Sequence, residues 1–201
     1  MIQYEQIILA SASQSRARML ADAGLAVTPL PSRVDEARIK AAMLADGHDA
    51  QEIAVALADA KARQISIKHT GKLVIGADQT LALGSRLFDK PESIAAARAT
   101  LQALSNQSHH LYSAAVCQRD AQVVWRHTGI ARLTVRPLSS AFIDAYLEQM
   151  GESVMGTVGG YEVERLGLQL FTAIEGDTFT IRGLPLLPLL GYLRDAKVIL
   201  A

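Results

Sequence analysis

The stretch QIILASASQSRARML, residues 6–20, runs from a short apolar strand directly into the start of a helix. Ile7 to Ala10 form a continuous apolar run, and the serines that follow are preferred residues for capping a helix. A helix N-terminus presents free backbone N–H groups and a partial positive charge, and arginine can grip phosphate oxygens in pairs. The stretch therefore predicts a strand-to-helix connection at which Ser13 and Arg16 bind phosphate, although ordinary scaffold connections share this pattern.

The composition is that of a globular protein with a substantial core, since half of the 201 residues are hydrophobic and a fifth are charged. The net charge of zero argues against a nucleic-acid binder that depends on general electrostatic attraction. Glu5 interrupts the first apolar stretch, and no uncharged apolar run reaches the roughly 18 residues of a membrane span. Cys117 is the single cysteine, so no internal disulfide is possible. We expect a cytoplasmic protein with neither a nucleic-acid nor a membrane partner.

Helix and strand patterns alternate through the rest of the chain. The predicted elements are helices at Glu36–Ala45 and Gln51–Ser66 and strands at Leu73–Ala77, His110–Arg119 and Val123–Val135. A hairpin is predicted at Thr80–Phe88, with Gly84 and Ser85 at its turn. The alternation predicts an α/β fold in which helices flank a curved mixed β-sheet, with residues 1–201 forming a single domain.

Four charged residues occupy positions that a plain scaffold does not require. Asp78 directly follows the buried strand Leu73–Ala77, and the carboxyl ends of strands commonly face ligand crevices in α/β sheets. Lys61 lies inside an alanine-rich helix, Glu36 begins a helix, and Lys90 precedes a proline at a helix start. Each of the four has an ordinary explanation, as a turn, capping or solvated side chain, so the question is whether one function accounts for all of them.

Eight segments of the chain, in order and in spacing, resemble the motifs of the Maf family of nucleoside triphosphate pyrophosphatases. They are ILASASQSRARML (residues 8–20), VDE (34–36), LADAKA (57–62), VIGADQTLAL (74–83), DKPES (89–93), LSNQSHHLYSAAV (104–116), VGGYEVERLG (158–167) and IEGDTFTIRGLPLLPLL (174–190). The resemblance covers nearly the whole chain and implies a Maf- and ITPase-like fold, with two lobes around a deep cleft.

The resemblance also implies the chemistry, which is hydrolysis of a nucleoside triphosphate between its α- and β-phosphates to a monophosphate and pyrophosphate. Asp78 is implied as the proton acceptor that activates water, with Lys61 and Glu36 as further catalytic residues. The residues implied to bind the phosphates are Ser13, Arg16 and Lys90.

A divalent cation, Mg²⁺ or Mn²⁺, is expected to be held by Glu36 and Asp78, because such ions prefer carboxylate oxygens and retained waters. Whether Asp78 acts as the base or as a metal ligand is left open at this point. A water bound to the metal and hydrogen-bonded to Asp78 would satisfy both descriptions.

Base selection is expected to depend on Gln79 and Glu164. Glutamine offers a donor and an acceptor, whereas glutamate only accepts, which suits the amino and ring N–H edge of guanine. Both residues are similar to those of the subgroup that acts on 7-methyl-GTP, although Ser15 stands where that subgroup has an aromatic residue. A 7-methyl-GTP-type or other modified nucleotide is therefore the expected substrate, with dTTP and UTP as the alternative class.

A nucleotide-binding regulator of cell division or septum formation, in which hydrolysis is incidental, is the competing function. A pure binding module needs the cations but no water-activating acid, so the presence of Glu36, Lys61 and Asp78 together favours the enzyme. His109 is interpreted as mainly structural. Because members of the family are often dimers, the resemblance also implies a homodimer.

Overall fold

The computed structural model of the protein describes residues 2–200. The chain forms two compact units: unit 1 comprises residues 1–79, 112–129 and 178–201, and unit 2 comprises residues 80–111 and 130–177. The two units agree with the two expected lobes, while the single-domain assignment and the deep cleft stay predictions. Among the described residues, no helix combines the length and the apolar character needed to cross a membrane.

The predicted α/β fold with a mixed sheet and flanking helices is confirmed. The strands are β1 (Ile7–Leu9), β2 (Val27–Pro29), β3 (Leu73–Leu83), β4 (Arg86–Phe88), β5 (Ser108–Arg119), β6 (Gln122–Val135) and β7 (Phe171–Glu175). They form one seven-stranded sheet in the order β2-β1-β3-β5-β6-β7, with β4 paired to β3. The sheet is mixed, because β1 is parallel to β2 and β3, whereas β3–β4 and β6–β7 are antiparallel. The helices are α1 (Gln14–Asp22), α2 (Glu36–Ala45), α3 (Ala50–Ser66), α4 (Ile94–Leu104), α5 (Ser140–Met150), α6 (Thr178–Ile181) and α7 (Leu186–Asp195).

Alternation along β1 and β3 sorts their side chains onto the two faces of the sheet in unit 1. Ile7 and Ile75 belong to a large buried cluster that includes residues of α1 and α7. Ile8 and Val74 belong to a second cluster that includes Ala62 of α3. The same alternation directs Asp78 toward the α3 face and Gln79 toward the α1 and α7 face.

Helix α3 approaches β3 very closely, and Gly76 is the residue that permits this. A Cβ at Gly76 would collide with the backbone of Ala58 and Ala62 in α3, so only glycine fits. The helix begins with a capping box in which Asp49 and Glu52 each bond the other's backbone N–H. The close approach brings Lys61, one residue before Ala62, to the strand that carries Asp78.

The expected end of the strand at Asp78 is wrong, because β3 continues without a break to Leu83. Along β3, Leu73–Ile75 pair with β1, whereas Leu81–Leu83 pair with β4. Asp78 therefore lies beyond the carboxyl end of β1 rather than at the end of its own strand. The crevice rule for strand ends still applies, but the end in question belongs to the neighbouring strand. The predicted hairpin around Gly84 is confirmed as β3–β4.

Unit 2 has its own core, in which α4 packs on α5 and on the 3₁₀ helix Gly151–Gly156. The rings of Tyr161 and Phe171 meet edge to face with centroids 5.0 Å apart, and His109 lies tilted against both. Tyr146 Oη donates to the carbonyl of Gly160 at 3.1 Å, which fixes the glycine-rich segment before Tyr161.

Candidate active site

Lys61 lies between two carboxylates in unit 1. Its Nζ donates to Oδ1 of Asp78 at 2.6 Å and lies 2.8 Å from Oε1 of Glu36. Lys61 and Asp78 are both 7% exposed, whereas the Glu36 side chain is half exposed. Glu36 is the first residue of α2 and follows the N-cap Asp35, whose side chain accepts from Arg38 N. The structure thus brings the three predicted catalytic residues into one contact group.

Arg16 is fixed by bonds to three separate segments of unit 1. Its Nε donates to the carbonyl of Gly183 at 2.8 Å, and its Nη1 donates to the carbonyl of Ala77 at 2.9 Å and to Ser11 Oγ at 3.2 Å. Burial lowers the pKa of Arg16, and the charges of Asp78 and Glu36 oppose that shift. Nη2 takes part in none of these bonds. A phosphate would therefore be bound through Nη2 alone, rather than by two guanidinium nitrogens at once.

Ser13 is the N-cap of α1, as predicted. Its Oγ accepts from the backbone N–H of Arg16 at 3.3 Å, so its hydroxyl hydrogen can still be donated. The first turn of α1 contains no acidic residue that would repel an anion. The N–H groups of the first residues of a helix lack partners within the helix, so this end of α1 offers donors to phosphate.

Gln79 uses its amide nitrogen within the protein, contrary to the expectation that it offers both a donor and an acceptor to the base. Nε2 donates to Ser113 Oγ at 2.8 Å and to the carbonyls of Thr180 and Ile181 at 3.1 and 3.0 Å. Gln79 side-chain bonds within residues 2–200 therefore run through Nε2, and Oε1 is the atom left for a ligand.

Charges within this group are balanced, since Arg16 and Lys61 face Asp78 and Glu36. A divalent cation fits the donor set, because Mg²⁺ is typically held by one or two carboxylates together with waters and substrate phosphates. Oδ2 of Asp78 and Oε2 of Glu36 take no part in the contacts with Lys61. Within residues 2–200, no group of three or more His, Cys, Asp or Glu side chains is placed so that it could hold a metal ion.

Lys90 and Glu164 lie in unit 2, and both are exposed. Lys90 is in the loop between β4 and α4, and α4 begins at Ile94 with Ser93 as its N-cap rather than immediately after Lys90. Glu164 is in the turn before the 3₁₀ helix Leu166–Leu170. Their predicted roles toward the substrate stay predictions.

The chain has close relatives of known name. The Maf-like protein family matches residues 6–196. The chain belongs to this family. It is 49% identical over 195 residues to the 7-methyl-GTP pyrophosphatase of Mesorhizobium japonicum, and the matched region covers 97% of this chain and 98% of that protein. It is 49% identical over 188 residues to a nucleoside triphosphate pyrophosphatase of Paramagnetospirillum magneticum, covering 94% and 97% of the two chains. It is 46% identical over 193 residues to the 7-methyl-GTP pyrophosphatase of Rhizobium meliloti, covering 96% and 97%.

Among the residues that touch the predicted site residues of this Maf-family chain, Ser113 and Gly183 are examples that were not foreseen from the sequence. Ser113 is fully buried on β5 and contacts Gln79, and the carbonyl of Gly183 holds Arg16. Ser113 could have been singled out from the sequence, because it is a polar residue next to the apolar run Ala114–Cys117, and the structure buries it in the core. A contact made by a main-chain carbonyl has no counterpart in the side-chain pattern.

Replacing Gly183 with alanine is expected to destabilise the protein. Gly183 has φ +98°, a region that L-residues rarely adopt, so the change should lower the free energy of unfolding by about 1–2 kcal/mol. Space is not the cause, because the added Cβ would lie 3.5 Å from Nε and Nη2 of Arg16. Urea unfolding measures the effect, and Gly191→Ala inside α7 is the matched control, expected to raise stability by about 0.5–1 kcal/mol. Equal effects at the two glycines would contradict the strain at Gly183.

His109 is expected to make the protein less stable in mild acid. It is fully buried, with Nε2 2.6 Å from Tyr161 Oη, and burial, aided by the charge of His110, lowers its pKa to about 4. Between that value and the ordinary pKa of about 6.5, the unfolded chain binds more protons, so stability falls as the pH falls through this window.

The loss at pH 4.5 relative to pH 7.5 is expected to be about 2 kcal/mol greater in the wild type than in His109→Gln, which cannot titrate. Urea unfolding at the two pH values provides the comparison. His127→Gln, at an exposed position on β6, should keep the wild-type difference. If His109→Gln keeps it as well, His109 does not carry the acid sensitivity.

Proposed function

We propose that the protein is a nucleoside triphosphate pyrophosphatase that cleaves between the α- and β-phosphates. The observation that carries this is the buried Lys61–Asp78 ion pair with Glu36 attached, beside the N-terminal end of α1. Membership of the Maf family and relatives that carry this activity in their names support it. A module that only binds nucleotides would not need a buried carboxylate beside its cations.

In the proposed mechanism, Asp78 takes the proton from the attacking water. Lys61 occupies Oδ1 of Asp78 at 2.6 Å, so Oδ2 is the oxygen that accepts the proton. The new bond joins the water oxygen to the α-phosphorus, and the bond from that phosphorus to the bridging oxygen of the pyrophosphate breaks. Ser13 and the N–H groups at the start of α1 donate to phosphate oxygens, and Nη2 of Arg16 adds a fixed positive charge.

A divalent cation is part of the proposal, because Arg16 and Lys61 are already balanced by two carboxylates. A triphosphate carries about four negative charges, which must be offset by additional positive charge at the site. Glu36 and Asp78 would hold Mg²⁺ or Mn²⁺, which when bound would neutralise phosphate oxygens and lower the pKa of a coordinated water. Lys90 is also proposed to bind the phosphates.

For the substrate, we favour a 7-methyl-GTP-type nucleotide. Two of the relatives described above are named 7-methyl-GTP pyrophosphatases. A carboxylate at Glu164 would suit both the N–H edge of guanine and the positive charge of its methylated ring.

We also propose a cytoplasmic homodimer, with no nucleic-acid or membrane partner.

A substrate panel tests the proposed function. Pyrophosphate release is measured with Mg²⁺ for the standard ribo- and deoxyribonucleoside triphosphates, 7-methyl-GTP, 5-methyl-UTP and pseudo-UTP. Release that requires the cation, with 7-methyl-GTP preferred, is the expected result. Turnover of dTTP and UTP far above that of 7-methyl-GTP would overturn the substrate assignment. Binding of nucleotides without release from any of them would favour the binding regulator instead.

A further inference from the structure

Helix α3 faces the sheet of unit 1 with a stripe of three alanines. Ala54, Ala58 and Ala62 are spaced four residues apart, so they lie on one side of the helix, and all three are fully buried. Ala54 and Ala58 belong to a buried cluster with residues of β5, and Ala62 belongs to another with residues of β1 and β3. Because each side chain on this alanine stripe is a single methyl group, the helix lies closer to the strands than larger residues would allow.

Gly76 completes this packing on the side of β3. A Cβ added there would lie 2.7 Å from the backbone nitrogen of Ala62 and 2.8 Å from its Cβ, and it would also collide with the carbonyl oxygen of Ala58. Two of these three atoms belong to the main chain of α3, so rotation of a side chain cannot relieve the contact. Carbon atoms ordinarily approach to about 3.5–4.0 Å, so a side chain at position 76 would move helix and strand apart by about 1 Å.

The contact between Lys61 and Asp78 depends on the same separation. Gly76 and Asp78 are alternate residues of β3 and therefore share one face of the sheet, while Lys61 adjoins Ala62 on α3. Lys61 Nζ and Asp78 Oδ1 are 2.6 Å apart. Charge-assisted hydrogen bonds are typically about 2.7–2.9 Å long, so an increase of about 1 Å would break this one. Lys61 is 7% exposed, and burial of its stem limits the rotamers that could make up the difference.

We propose that Gly76 and the alanine stripe are positioning residues, which hold α3 at the distance from β3 at which Lys61 meets Asp78. This inference rests on the proposed function, in which Asp78 takes up the proton of the attacking water beside Lys61. The four positioning residues act through Lys61, by fixing the height of its helix above the sheet, and not through contact with the nucleotide. A displacement of about 1 Å in an active site can cost about 10²-fold in rate although every catalytic residue is present.

Gly76→Ala tests this inference on the strand. We expect kcat for the best nucleotide to fall by about 10- to 100-fold and KM to stay within about threefold, because the binding groups at the start of α1 are left in place. Gly176→Ala is the matched control. Its Cβ would lie 2.8 and 3.0 Å from atoms of Ala131 in unit 2, so packing is disturbed there as well, but kcat should stay within about twofold. A loss confined to KM, or equal losses of kcat in the two variants, would overturn the inference.

A double-mutant cycle shows whether Gly76 acts through Lys61. In Lys61→Met no ammonium group is left to be displaced, so adding Gly76→Ala should lower kcat by no more than about a further twofold. A merely structural role of Gly76 would lower kcat by the same factor with lysine or methionine at position 61. That result would also contradict the inference.

A smaller change on the helix provides a second test in case Gly76→Ala does not fold. Ala62→Ser adds one atom to the alanine stripe, and Ala60→Ser adds the same atom at a partly exposed position of the same helix outside the stripe. We expect kcat to fall by about three- to tenfold in Ala62→Ser and to stay within about twofold in Ala60→Ser. Equal effects of the two serines would mean that the separation of helix and sheet does not set the rate.

Amine labelling separates this inference from the proposed function. The rate at which an N-hydroxysuccinimide ester acetylates Lys61 is measured by mass spectrometry, with the exposed Lys68 as the internal reference. A buried, ion-paired ammonium group reacts slowly, so Ala62→Ser should raise the rate at Lys61 by about fivefold or more, and Ala60→Ser should not. If this difference appears but no nucleotide is hydrolysed, the positioning of Lys61 stands although the proposed function has failed. An unchanged rate at Lys61 overturns the inference, whatever the activity of the enzyme.

Discussion

Asp78→Asn is expected to lower kcat for pyrophosphate release by about 10³-fold, with a much smaller change in KM. A positioned general base contributes about 10²- to 10⁴-fold, and an amide cannot take up the proton of the attacking water. The substitution is nearly isosteric, and its amide oxygen can still accept from Lys61 Nζ in the place of Oδ1, 2.6 Å away in the wild type. At saturating Mg²⁺, which offsets the weaker metal ligand that an amide provides, the effect should therefore appear in the chemical step rather than in nucleotide binding.

Asp59→Asn is the matched control for this prediction. Asp59 also lies in unit 1, on α3, where its Oδ1 accepts from Gln118 Nε2 at 2.6 Å. We expect kcat of this variant to stay within about twofold of the wild type, because Asp59 contacts none of the site residues that touch Asp78. Single-turnover measurements separate chemistry from product release. If Asp78→Asn keeps more than a tenth of wild-type kcat, Asp78 is not the base.

The positions of residues that depend only on the local sequence pattern could be predicted. Ser13 as a helix cap follows from its place between an apolar run and a helical segment, and the structure confirms it. The helix that carries Lys61 was predicted to within one residue, because its periodicity and length leave little ambiguity. The placement of Glu36 at the start of α2 was also predicted, and the structure confirms it.

The extent of β3 could not be predicted, because it depends on which strands lie beside it. The burial pattern of a strand is the same whether one partner strand runs along its whole length or a second partner replaces the first. Along β3, β4 replaces β1 in this way. The seating of Gln79 was missed for a related reason. Two of its three partners are main-chain carbonyls more than 100 residues away, and carbonyls are identical in every sequence.

Lys61→Met is expected to damage both stability and activity. Methionine matches the length of lysine but brings no charge, so Asp78 and Glu36 would lose the cation that they share at 2.6 and 2.8 Å. Removing one member of a buried ion pair costs about 3–5 kcal/mol, and the half-exposed Glu36 places this case near 3 kcal/mol. We expect kcat/KM for the best nucleotide to fall by at least about 10²-fold, because a fixed positive charge beside the reacting phosphates is lost.

Lys68→Met, an exposed change just beyond α3, is the control and should alter the unfolding free energy by no more than about 0.5 kcal/mol. Loss of Lys61 also frees Oδ1 of Asp78 and Oε1 of Glu36 for a metal ion. Mn²⁺ should therefore stabilise Lys61→Met against urea more than it stabilises the wild type, since a ligand that binds only the folded state raises its stability. If Lys61→Met and Lys68→Met have the same free energy of unfolding, Lys61 does not hold the carboxylates together. If Mn²⁺ stabilises Lys61→Met no more than the wild type, Glu36 and Asp78 do not form the metal site, because freeing one oxygen of each carboxylate would then have added no affinity for the ion.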